Sequence, residues 1–378
     1  MSAPTNFSIA VFAGDGIGHE ITEPTLKLLD QACIKANSAA GTGSTNVSLQ
    51  YRALEAGAAT YQKTGTALPD KAVDAAREAD AILLACMGDP DVRYPDGTEI
   101  VAQVEMRFRL GLYAGLRPVR TIPGVPVPIA DARMEKVDFV LVRESIEGLF
   151  APSHPATVTE NEATETLCIT REVSEKLFQS VFELAQKRHA AGNRRNPQSS
   201  GRVTCIDKAN VFPAFAFFRE LFYNTAKNYQ GLQTEHAYVD AMAMHLVNRP
   251  WEYDVMVTEN MFGDILSDLG AAIMGGMGYA PSADIGNGHA VFQPCHGTAP
   301  DIAGQGIANP TAMILSAAMM LDWLGQQHNH PAATAAGELL VDAVDTAFAP
   351  GDLRTCELGG DAGVEAVVSA VEKALNAA

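Results

Sequence analysis

The sequence predicts an α/β protein. Short runs rich in β-branched and aromatic residues alternate with longer segments of helical periodicity, which is the pattern of this fold class. The 378 residues suit about two or three domains, and the apolar share of 47% is typical of a globular protein with a large core.

The predicted elements run from a strand near the N-terminus to an apolar helix in the last quarter of the chain. Strands are predicted where short apolar runs stand between polar turns, and helices where apolar residues recur every three or four positions. The predicted strands are 7–12, 47–52, 81–85, 139–142, 203–207 and 254–258, and the predicted helices are 18–36, 71–79, 172–190, 214–223 and 311–321. Polar segments predict surface loops at 36–46 and 192–201, and the prolines of 118–128 predict a crossover between two lobes.

Charge and cysteine content narrow the class of protein. A net charge of −18 disfavours nucleic acid or an anionic membrane as a partner, so an anionic substrate would need a local concentration of positive charge. No apolar run approaches the roughly 18 residues that span a bilayer, and the N-terminal segment lacks the basic region of a signal peptide. The six cysteines show no paired spacing, so we expect free thiols and a cytoplasmic protein.

A pair of acidic residues carries the strongest functional signal. Asp264 and Asp268 are four positions apart in a predicted helix, so their carboxylates share one face and repel each other unless a cation lies between them. A solvated helix face is the competing explanation. Oxygen ligands would favour Mg²⁺ or Mn²⁺ over zinc, and Asp240, at the start of another apolar helical run, is a candidate third ligand. In the helix that carries Asp264 and Asp268, the opposite, core-facing side is predicted to comprise Ile265, Leu266, Leu269 and Ile273.

A glycine turn after the first strand invites comparison with dinucleotide-binding Rossmann domains. Gly14, Gly16 and Gly18 lie between the strand and the next helix, but the fingerprint requires glycine where this chain has His19. No second strand ending in an acid follows at the usual distance. We therefore predict a tight strand-to-helix turn and not a Rossmann fold.

Four arginines lie in or beside apolar sequence. An arginine in such a place is often structural and held in a salt bridge. Several of them in an acidic protein also suit an anion clamp, because a guanidinium binds a carboxylate through two hydrogen bonds. The sequence leaves both alternatives open for Arg107, Arg109, Arg117 and Arg143.

Two further motifs have both a structural and a functional interpretation. Lys208 follows a predicted strand in apolar surroundings, where it either extends to solvent or serves in proton transfer. The segment 294–304 is rich in Gly and Pro with little charge, so its backbone N–H groups suit a phosphate, while His296 within it could equally be structural. Asn309 and Pro310 are predicted to cap the helix that follows.

Together these motifs resemble the β-decarboxylating dehydrogenases, the family of 3-isopropylmalate, isocitrate, homoisocitrate, tartrate and D-malate dehydrogenases. The resemblance runs from the glycine turn at 13–18 to 357–360, and its most specific segments are 239–247, 262–269 and 296–310. It implies a two-lobed isopropylmalate dehydrogenase-like fold with a central cleft. In that fold 1–112 plus 275–378 would form the large cofactor-binding lobe, and 113–274 a small lobe with the dimer interface and much of the substrate and metal site.

The resemblance also assigns roles on the substrate side of the cleft. It implies a homodimer whose active sites take residues from both chains. Asp264 and Asp268 resemble metal ligands of one chain, while Asp240 and Lys208 resemble the contribution of the partner chain, to the metal and to proton transfer respectively. The residues that resemble the clamp on two substrate carboxylates are Arg107, Arg117 and Arg143.

On the cofactor side, the resemblance implies a nicotinamide dinucleotide. Asp301 resembles the acid that binds ribose hydroxyls in NAD-using members, whereas NADP-using members commonly have Lys and Tyr where this chain has Asp301 and Ile302. NAD is therefore expected. The matching cofactor-binding residues are His296, Gly297, Thr298, Ala299, Asp301 and Asn309.

This chain departs from the family pattern in the substrate pocket. Phe150 stands where the family usually has the tyrosine that protonates the enol after CO₂ leaves, so the proton donor is open and Phe150 is expected to contact substrate. Val101 stands where isocitrate enzymes have serine, which disfavours isocitrate. Gln103 and Val104 replace leucines of the isopropylmalate enzymes, which makes the pocket more polar.

The sequence thus predicts an oxidative decarboxylase of a 2-hydroxy dicarboxylate that depends on NAD and on Mg²⁺ or Mn²⁺. We place 3-isopropylmalate first among substrates, ahead of D-malate, tartrate or homoisocitrate. The alternative from another class is a catalytically weak regulatory or binding subunit, because Phe150 removes one chemical group. The charged residues that chemistry requires are all present, which favours the enzyme.

Overall fold

The computed structural model of the chain describes residues 6–39, 45–193 and 195–377. In these ranges ten strands form one mixed sheet, and two short strands form a separate antiparallel pair. The strands are β1 (Asn6–Gly14), β2 (Ser48–Ala53), β3 (Ala81–Cys86), β4 (Ala114–Arg120), β5 (Asp138–Glu144), β6 (Thr157–Val158), β7 (Ala163–Thr164), β8 (Arg202–Asp207), β9 (Gln233–Tyr238), β10 (Val255–Thr258), β11 (Pro281–Ile285) and β12 (Ala290–Pro294).

Helices alternate with most of these strands, as an α/β chain requires. The helices are α1 (Gly18–Ala39), α2 (Ala58–Thr64), α3 (Asp70–Glu78), α4 (Ala102–Leu110), α5 (Arg171–Ala191), α6 (Pro213–Ala226), α7 (Val239–Asn248), α8 (Asn260–Ile273), α9 (Thr311–Gln327), α10 (Pro331–Phe348) and α11 (Val364–Ala377). Within the described ranges, no helix is both long enough and apolar enough to cross a lipid bilayer.

The sheet consists of two parallel blocks joined by antiparallel strands. Its order is β2-β1-β3-β12-β11-β4-β5-β10-β8-β9. The pairs of β1 with β2 and β3, and of β3 with β12, are parallel, as are the pairs of β10 with β5 and β8 and of β8 with β9. Between these blocks, β11 and β4 are antiparallel to each other and to their outer neighbours. The centre of the sheet is thus the place where the two blocks meet.

The core on one side of this centre is rich in aromatic residues. Phe178 and Phe182 of α5 pack against Phe218 and Phe222 of α6, with ring centroids 4.7 Å apart for Phe178–Phe218 and 5.2 Å for Phe182–Phe222. All four rings are buried with the apolar residues of β5, β8 and β10. This packing fixes the strands that lead into the candidate site, because apolar contacts of this size dominate local stability.

The predicted strands and helices are all present, with ends that differ by a few residues. The expected tight turn between β1 and α1 is present. Part of the predicted loop 36–46 lies outside the described residues. The prediction of a crossover at 118–128 is wrong in its first part, since Pro118 lies inside β4. Proline is tolerated there because β11 pairs only with residues 114–116 of β4, so no ladder bond is lost on that side.

Candidate active site

The register of the central strands builds one wall of a cleft. Gly115 of β4 lies opposite Arg143 of β5 on one side and opposite Asp284 of β11 on the other. A β-carbon at Gly115 would lie 2.6 Å from Ser145 Oγ and 2.9 Å from Asp284 Oδ1. Glycine is therefore required at this register position, because the neighbouring side chains use the space that any larger residue would fill.

Three arginines line the cavity at this wall. They are Arg107, Arg117 and Arg143, and they come from α4, β4 and β5. Arg107 Nε donates to Asp284 Oδ2 at 3.0 Å, and Arg117 Nη2 donates to Asp284 Oδ1 at 3.1 Å. The amide of Gln293 donates to the same Asp284 Oδ2 at 2.9 Å. One buried carboxylate therefore holds two of the arginines in place.

Charges within this wall shift each other's protonation equilibria. Burial opposes ionisation of Asp284, but the charges of Arg107 and Arg117 outweigh it and hold the pKa of Asp284 below its usual range. Burial, followed by the charge of Arg107, lowers the pKa of Arg143 to about 10. Both groups are consequently ionised at neutral pH, and the wall presents guanidinium groups to the cavity.

Of the four arginines singled out in the sequence, Arg109 does not join this wall. Its guanidinium bonds to Asp70 at 2.6 Å and to Glu105 at 3.3 Å on the protein surface. It also donates to the carbonyl of Leu68 at 3.2 Å. For Arg109 the structural interpretation is therefore the right one.

Helix α8 supplies two carboxylates to the cavity. Asp264 and Asp268 both line it, and Arg143 Nη1 donates to Asp264 Oδ1. Burial, together with the charge of Asp264, raises the pKa of Asp268, as expected for adjacent like charges. The oxygen-only pair fits a divalent cation such as Mg²⁺ or Mn²⁺. The helix starts here because the Glu259 carboxylate accepts hydrogen bonds from the N–H groups of 261 and 262.

The predicted core face of α8 is only partly right. Leu266 and Ile273 are buried, but Ile265 is 61% exposed and Leu269 is half-buried. The reason is the 3.6-residue period, which places 265 beside 264 and 268 on the outer half of the helix, whereas 263, 266, 270 and 273 face inward.

Lys208 and Asp240 lie together, but away from the cavity lining. Lys208 follows β8 and Asp240 lies in the first turn of α7, as predicted, and Lys208 Nζ bonds to Asp240 Oδ1 at 2.5 Å. That bond lowers the pKa of the Asp240 carboxyl. Among the described residues, no three His, Cys, Asp or Glu side chains are grouped closely enough to hold a metal ion. One chain thus offers two of the three expected metal ligands at the cavity.

The loop after β5 carries Phe150 to the edge of the site. The Glu144 carboxylate accepts hydrogen bonds from the N–H groups of Ile146, at 2.7 Å, and Glu147. The amide of Asn260 donates to the carbonyl of Glu147 at 2.8 Å. Thus fixed, the loop places the Phe150 ring, 40% exposed, with its centroid 5.0 Å from Arg143 Cζ.

Burial gives the acid under this loop an unusual pKa. It raises the pKa of Glu144 to about 7, although the two backbone N–H groups partly offset that effect. The carboxyl of Glu259, which caps α8 nearby, has its pKa raised by burial as well.

The expected cofactor loop follows β12 and packs on the glycine turn. Ile17 N donates to the carbonyl of Thr298 at 2.9 Å. A β-carbon at Gly16 would lie 2.1 Å from that same carbonyl oxygen, so the turn must have glycine there. Ala299 has a positive φ of 40°. The turn that resembles a Rossmann fingerprint therefore supports this loop.

His296 is placed to accept a hydrogen bond. It lines the cavity, its Nδ1 lies 2.9 Å from the carbonyl of Gly297, and burial lowers its pKa, so the ring is neutral at neutral pH. With the proton on Nδ1, Nε2 is an acceptor, and among the described residues it has no partner.

Asp301 and Asn309 differ in how free their side chains are. Asp301 is exposed in the loop. Asn309 is buried, bonds to Glu357 at 2.8 Å and accepts from Thr311 N at 3.0 Å, which confirms the predicted cap of α9. The Asn309 side chain therefore has a structural role in holding the start of α9.

Sequence reasoning missed the residues that hold the arginines. Asp284 and Gln293 lie on β11 and β12, two strands that were not predicted. The local signal was weak: one acid between Ala283 and Ile285 in a mainly apolar run is consistent with a buried carboxylate, but it does not show which residues pair with it. Asn260, which accepts from Arg143 Nε at 2.8 Å, was also missed.

Comparison with known proteins gives consistent results. Residues 8–373 match the family described as isocitrate/isopropylmalate dehydrogenase. The chain is 38% identical to the 3-isopropylmalate/3-methylmalate dehydrogenase of Methanocaldococcus jannaschii over 93% of this chain and 94% of that protein. It is 36% identical to the isocitrate/homoisocitrate dehydrogenase of Thermus thermophilus over 98% of both.

Solved structures agree with this result. The isocitrate dehydrogenase of Methylococcus capsulatus superposes with a TM-score of 0.81 at 32% identity, over 98% of this chain and 99% of that one. A β-decarboxylating dehydrogenase of Thermococcus kodakarensis in its apo form superposes with a TM-score of 0.76 at 32% identity, over 98% and 96% of the two chains.

Proposed function

We propose that the substrate of this chain is a 3-substituted malate. The premise is that the chain belongs to the isocitrate/isopropylmalate dehydrogenase family and is a β-decarboxylating dehydrogenase. The observation that supports this most directly is the group of Arg107, Arg117 and Arg143 at one cavity. Guanidinium groups fixed by a buried acid can bind two carboxylates without reorganising. Among 3-substituted malates, 3-isopropylmalate remains our first candidate.

A divalent cation fits the carboxylates of α8. Asp264 and Asp268 supply hard oxygen ligands at the cavity, and their mutual repulsion would be relieved by a cation. Bound there, Mg²⁺ or Mn²⁺ would act as a Lewis acid on the oxygen at substrate carbon 2 and stabilise negative charge as CO₂ leaves. We propose that Asp240 of the partner subunit is the third ligand.

The surface around Lys208 and Asp240 supports a homodimer with shared sites. Large apolar side chains are exposed near this pair and on the neighbouring helices α7 and α8; they are Val211, Phe212, Met244, Val247 and Ile265. Exposed apolar groups of this number usually mark an interface. A second copy of the chain is the occupant we propose, because the cavity has only two of the three expected ligands without it.

The cofactor we propose is NAD. His296 offers at the cavity an acceptor that has no partner among the described residues, and the exposed Asp301 carboxylate suits ribose hydroxyls while repelling a 2′-phosphate. Bound there, NAD would accept the hydride from substrate carbon 2. Gly297 leaves open space beside the loop, since a β-carbon there would contact no other atom of the described chain.

The residues of the chain would then act in order. The arginines orient the two carboxylates, and Lys208 of the partner subunit assists removal of the proton of the substrate hydroxyl. The Phe150 ring lies on Arg143 and carries no acidic hydrogen, so the enol formed after loss of CO₂ must be protonated by water or another group.

Two further expectations belong to this proposal. The division into a lobe of 1–112 plus 275–378 and a lobe of 113–274 follows the two halves of the sheet, which meet at β11 and β4.

The six cysteines are free, which suits a cytoplasmic protein.

Turnover by the purified chain tests the function. The chain would be incubated with NAD, Mn²⁺ and, in turn, 3-isopropylmalate, D-malate, tartrate, isocitrate and homoisocitrate, while NADH and CO₂ are measured. We expect NADH and CO₂ in equal amounts, none in excess EDTA, and a lower kcat/KM with NADP. A regulatory subunit would turn over none of these substrates without another chain, and full activity in EDTA would contradict the metal site.

A further inference from the structure

Asp284 is a charged residue that lies behind the arginine clamp and does not line the substrate cavity. Its relative exposure is 0%, and it is absent from the cavity lining. Its two oxygens receive hydrogen bonds from Arg107, Arg117 and Gln293, so the carboxylate lies directly behind the arginines. Because the pKa of Asp284 is held below its usual range, the group keeps its negative charge at neutral pH.

This charge changes the electrostatic balance of the clamp. The three arginines carry three positive charges, and Asp284 cancels one of them, which leaves two. The negative charges of Asp264 and Asp268 are those that a divalent cation would compensate, and Lys208 and Asp240 form a neutral pair. The two positive charges that remain equal in number the negative charges of two substrate carboxylates.

Other charged groups near the cavity do not alter this count. Burial lowers the pKa of His296, so its ring is neutral. The Glu259 carboxylate lies at the N-terminus of α8 and accepts from its N–H groups, so the positive end of the helix offsets its charge. Burial raises the pKa of Glu144 to about 7, so that acid is partly protonated.

We propose that Asp284 is a positioning residue that sets the clamp for a dianion. Through Arg107 and Arg117 it selects malates with an uncharged 3-substituent and rejects tricarboxylates, whose third charge finds no compensation in this pocket. The proposal rests on the proposed function for the identity of the site. It adds a residue, Asp284, that the resemblance to the family did not supply, and a physical reason for the choice between dicarboxylates and tricarboxylates.

Asp284→Asn is the direct test, because asparagine keeps the size of the side chain and removes its charge. The kcat/KM values for D-malate and isocitrate would be compared in wild type and variant at fixed ionic strength. We expect the ratio of isocitrate to D-malate to rise by about tenfold or more, the effect of one charge roughly 12 Å away at an effective dielectric constant near 20. The change should lie in KM more than in kcat.

Two further variants separate charge from structure. Asp254 is also fully buried and bonds to an arginine, Arg188, at 2.7 Å, but away from the clamp. Asp254→Asn should therefore destabilise the protein without changing the substrate ratio. Asp284→Glu restores the charge and should return the ratio toward that of wild type. An unchanged ratio in Asp284→Asn, or an equal change in Asp254→Asn, would overturn the proposal.

Binding to the wild-type protein tests the proposal without turnover or refolded variants. Succinate and propane-1,2,3-tricarboxylate would be titrated calorimetrically in the presence of Mg²⁺. Tighter binding of succinate supports the dianion clamp, and tighter binding of the tricarboxylate overturns it. If no malate is oxidised but succinate still binds more tightly, the proposed function fails while the preference of the clamp for a dianion stands.

Discussion

The two sides of the candidate active site are built in opposite ways. The clamp side, formed by β4, β5 and β11, buries Arg117, Arg143 and Asp284, and each of their charged groups has a partner in the same chain. The open side, formed by the end of β8 and by α7, has an ion pair with an exposed Asp240 carboxylate and several exposed apolar side chains, of which Met244 is 57% exposed.

The difference indicates which side can bind ligand before assembly. A buried network with every group bonded is rigid, so the clamp is organised before substrate arrives. An exposed ion pair contributes little to stability, so Lys208 and Asp240 can exchange their mutual bond for new partners. We expect the clamp side to work alone and the open side to work only across a subunit boundary.

The largest expected effect comes from mixing two inactive variants. Arg143→Met damages the clamp side and Lys208→Met damages the open side, and each should reduce kcat by about 10²–10⁴-fold or more. If sites are shared, mixed dimers formed by co-expression contain one intact site, and about a quarter of wild-type activity should return, since half of randomly paired dimers are mixed. NADH formation by the purified mixture measures this.

A pair from the same side provides the control. Arg143→Met combined with Asp264→Asn leaves every site in a mixed dimer with one damaged clamp side, so no activity should return. No recovery with Arg143→Met and Lys208→Met would show that each site belongs to a single chain. Recovery with the same-side pair would show that Arg143 and Asp264 serve a site from different chains.

The second prediction concerns the exposed apolar surface of the open side. Met244→Glu on α7 places a charge in the proposed interface, so we expect monomers in light scattering and a loss of turnover of at least about tenfold. Succinate binding at the clamp should change far less. Ile34→Glu is the matched control, because Ile34 is 66% exposed on α1 and should tolerate the charge. Dimeric, active Met244→Glu would place the interface elsewhere.

The third prediction concerns Phe150, where the clamp side ends. Phe150→Tyr restores a hydroxyl next to Arg143, so kcat should rise by about tenfold while KM changes little, because the group acts after substrate binds. Phe217→Tyr is the control, since the Phe217 ring lies over Arg171 in the same way, 5.4 Å from its Cζ, outside the cavity. A large loss of kcat in Phe150→Tyr would mean that the apolar ring shapes the substrate pocket.

A separate effect, on stability and not on turnover, should come from Glu144, beneath the same loop. Burial raises its pKa from 4.5 to about 7 in the folded protein, so the folded state binds this proton more tightly than the unfolded state does. The free energy of unfolding should therefore fall as pH rises from about 4.5 to 7, by up to about 3 kcal/mol for this group. In Glu144→Gln that part of the pH dependence should be absent from urea unfolding curves. If the free energy of unfolding depends on pH in the same way in both proteins, the raised pKa of Glu144 is contradicted.

The sequence predicts an element well when the residues of that element alone show a clear periodic pattern. Helix α8 was predicted with its acids because polar and apolar residues alternate with a clear helical period over its length. Ile265 was misplaced, because an exposed apolar residue, which we assign to the proposed interface, looks like a core residue when only one chain is considered.

The missed strands lacked such a signal. β4 contains Pro118, and β11 contains Pro281 and Asp284, residues that normally disfavour strands. Both strands depend on long-range pairing in the centre of the sheet, which no local window of sequence reveals. Asp284 was missed for that reason, since its role appears only when three distant segments are adjacent.

The central pairing of β4 with β11 has a consequence for how the protein folds. Arg117 and Asp284 are 167 positions apart in the chain, so their contact closes a loop that contains the whole region from β5 to α8. Contacts of such high contact order form late, because the entropy of closing a long loop must first be overcome. During refolding, affinity for dicarboxylates should thus appear after most helical structure, which makes anion binding a reporter of the final folding step.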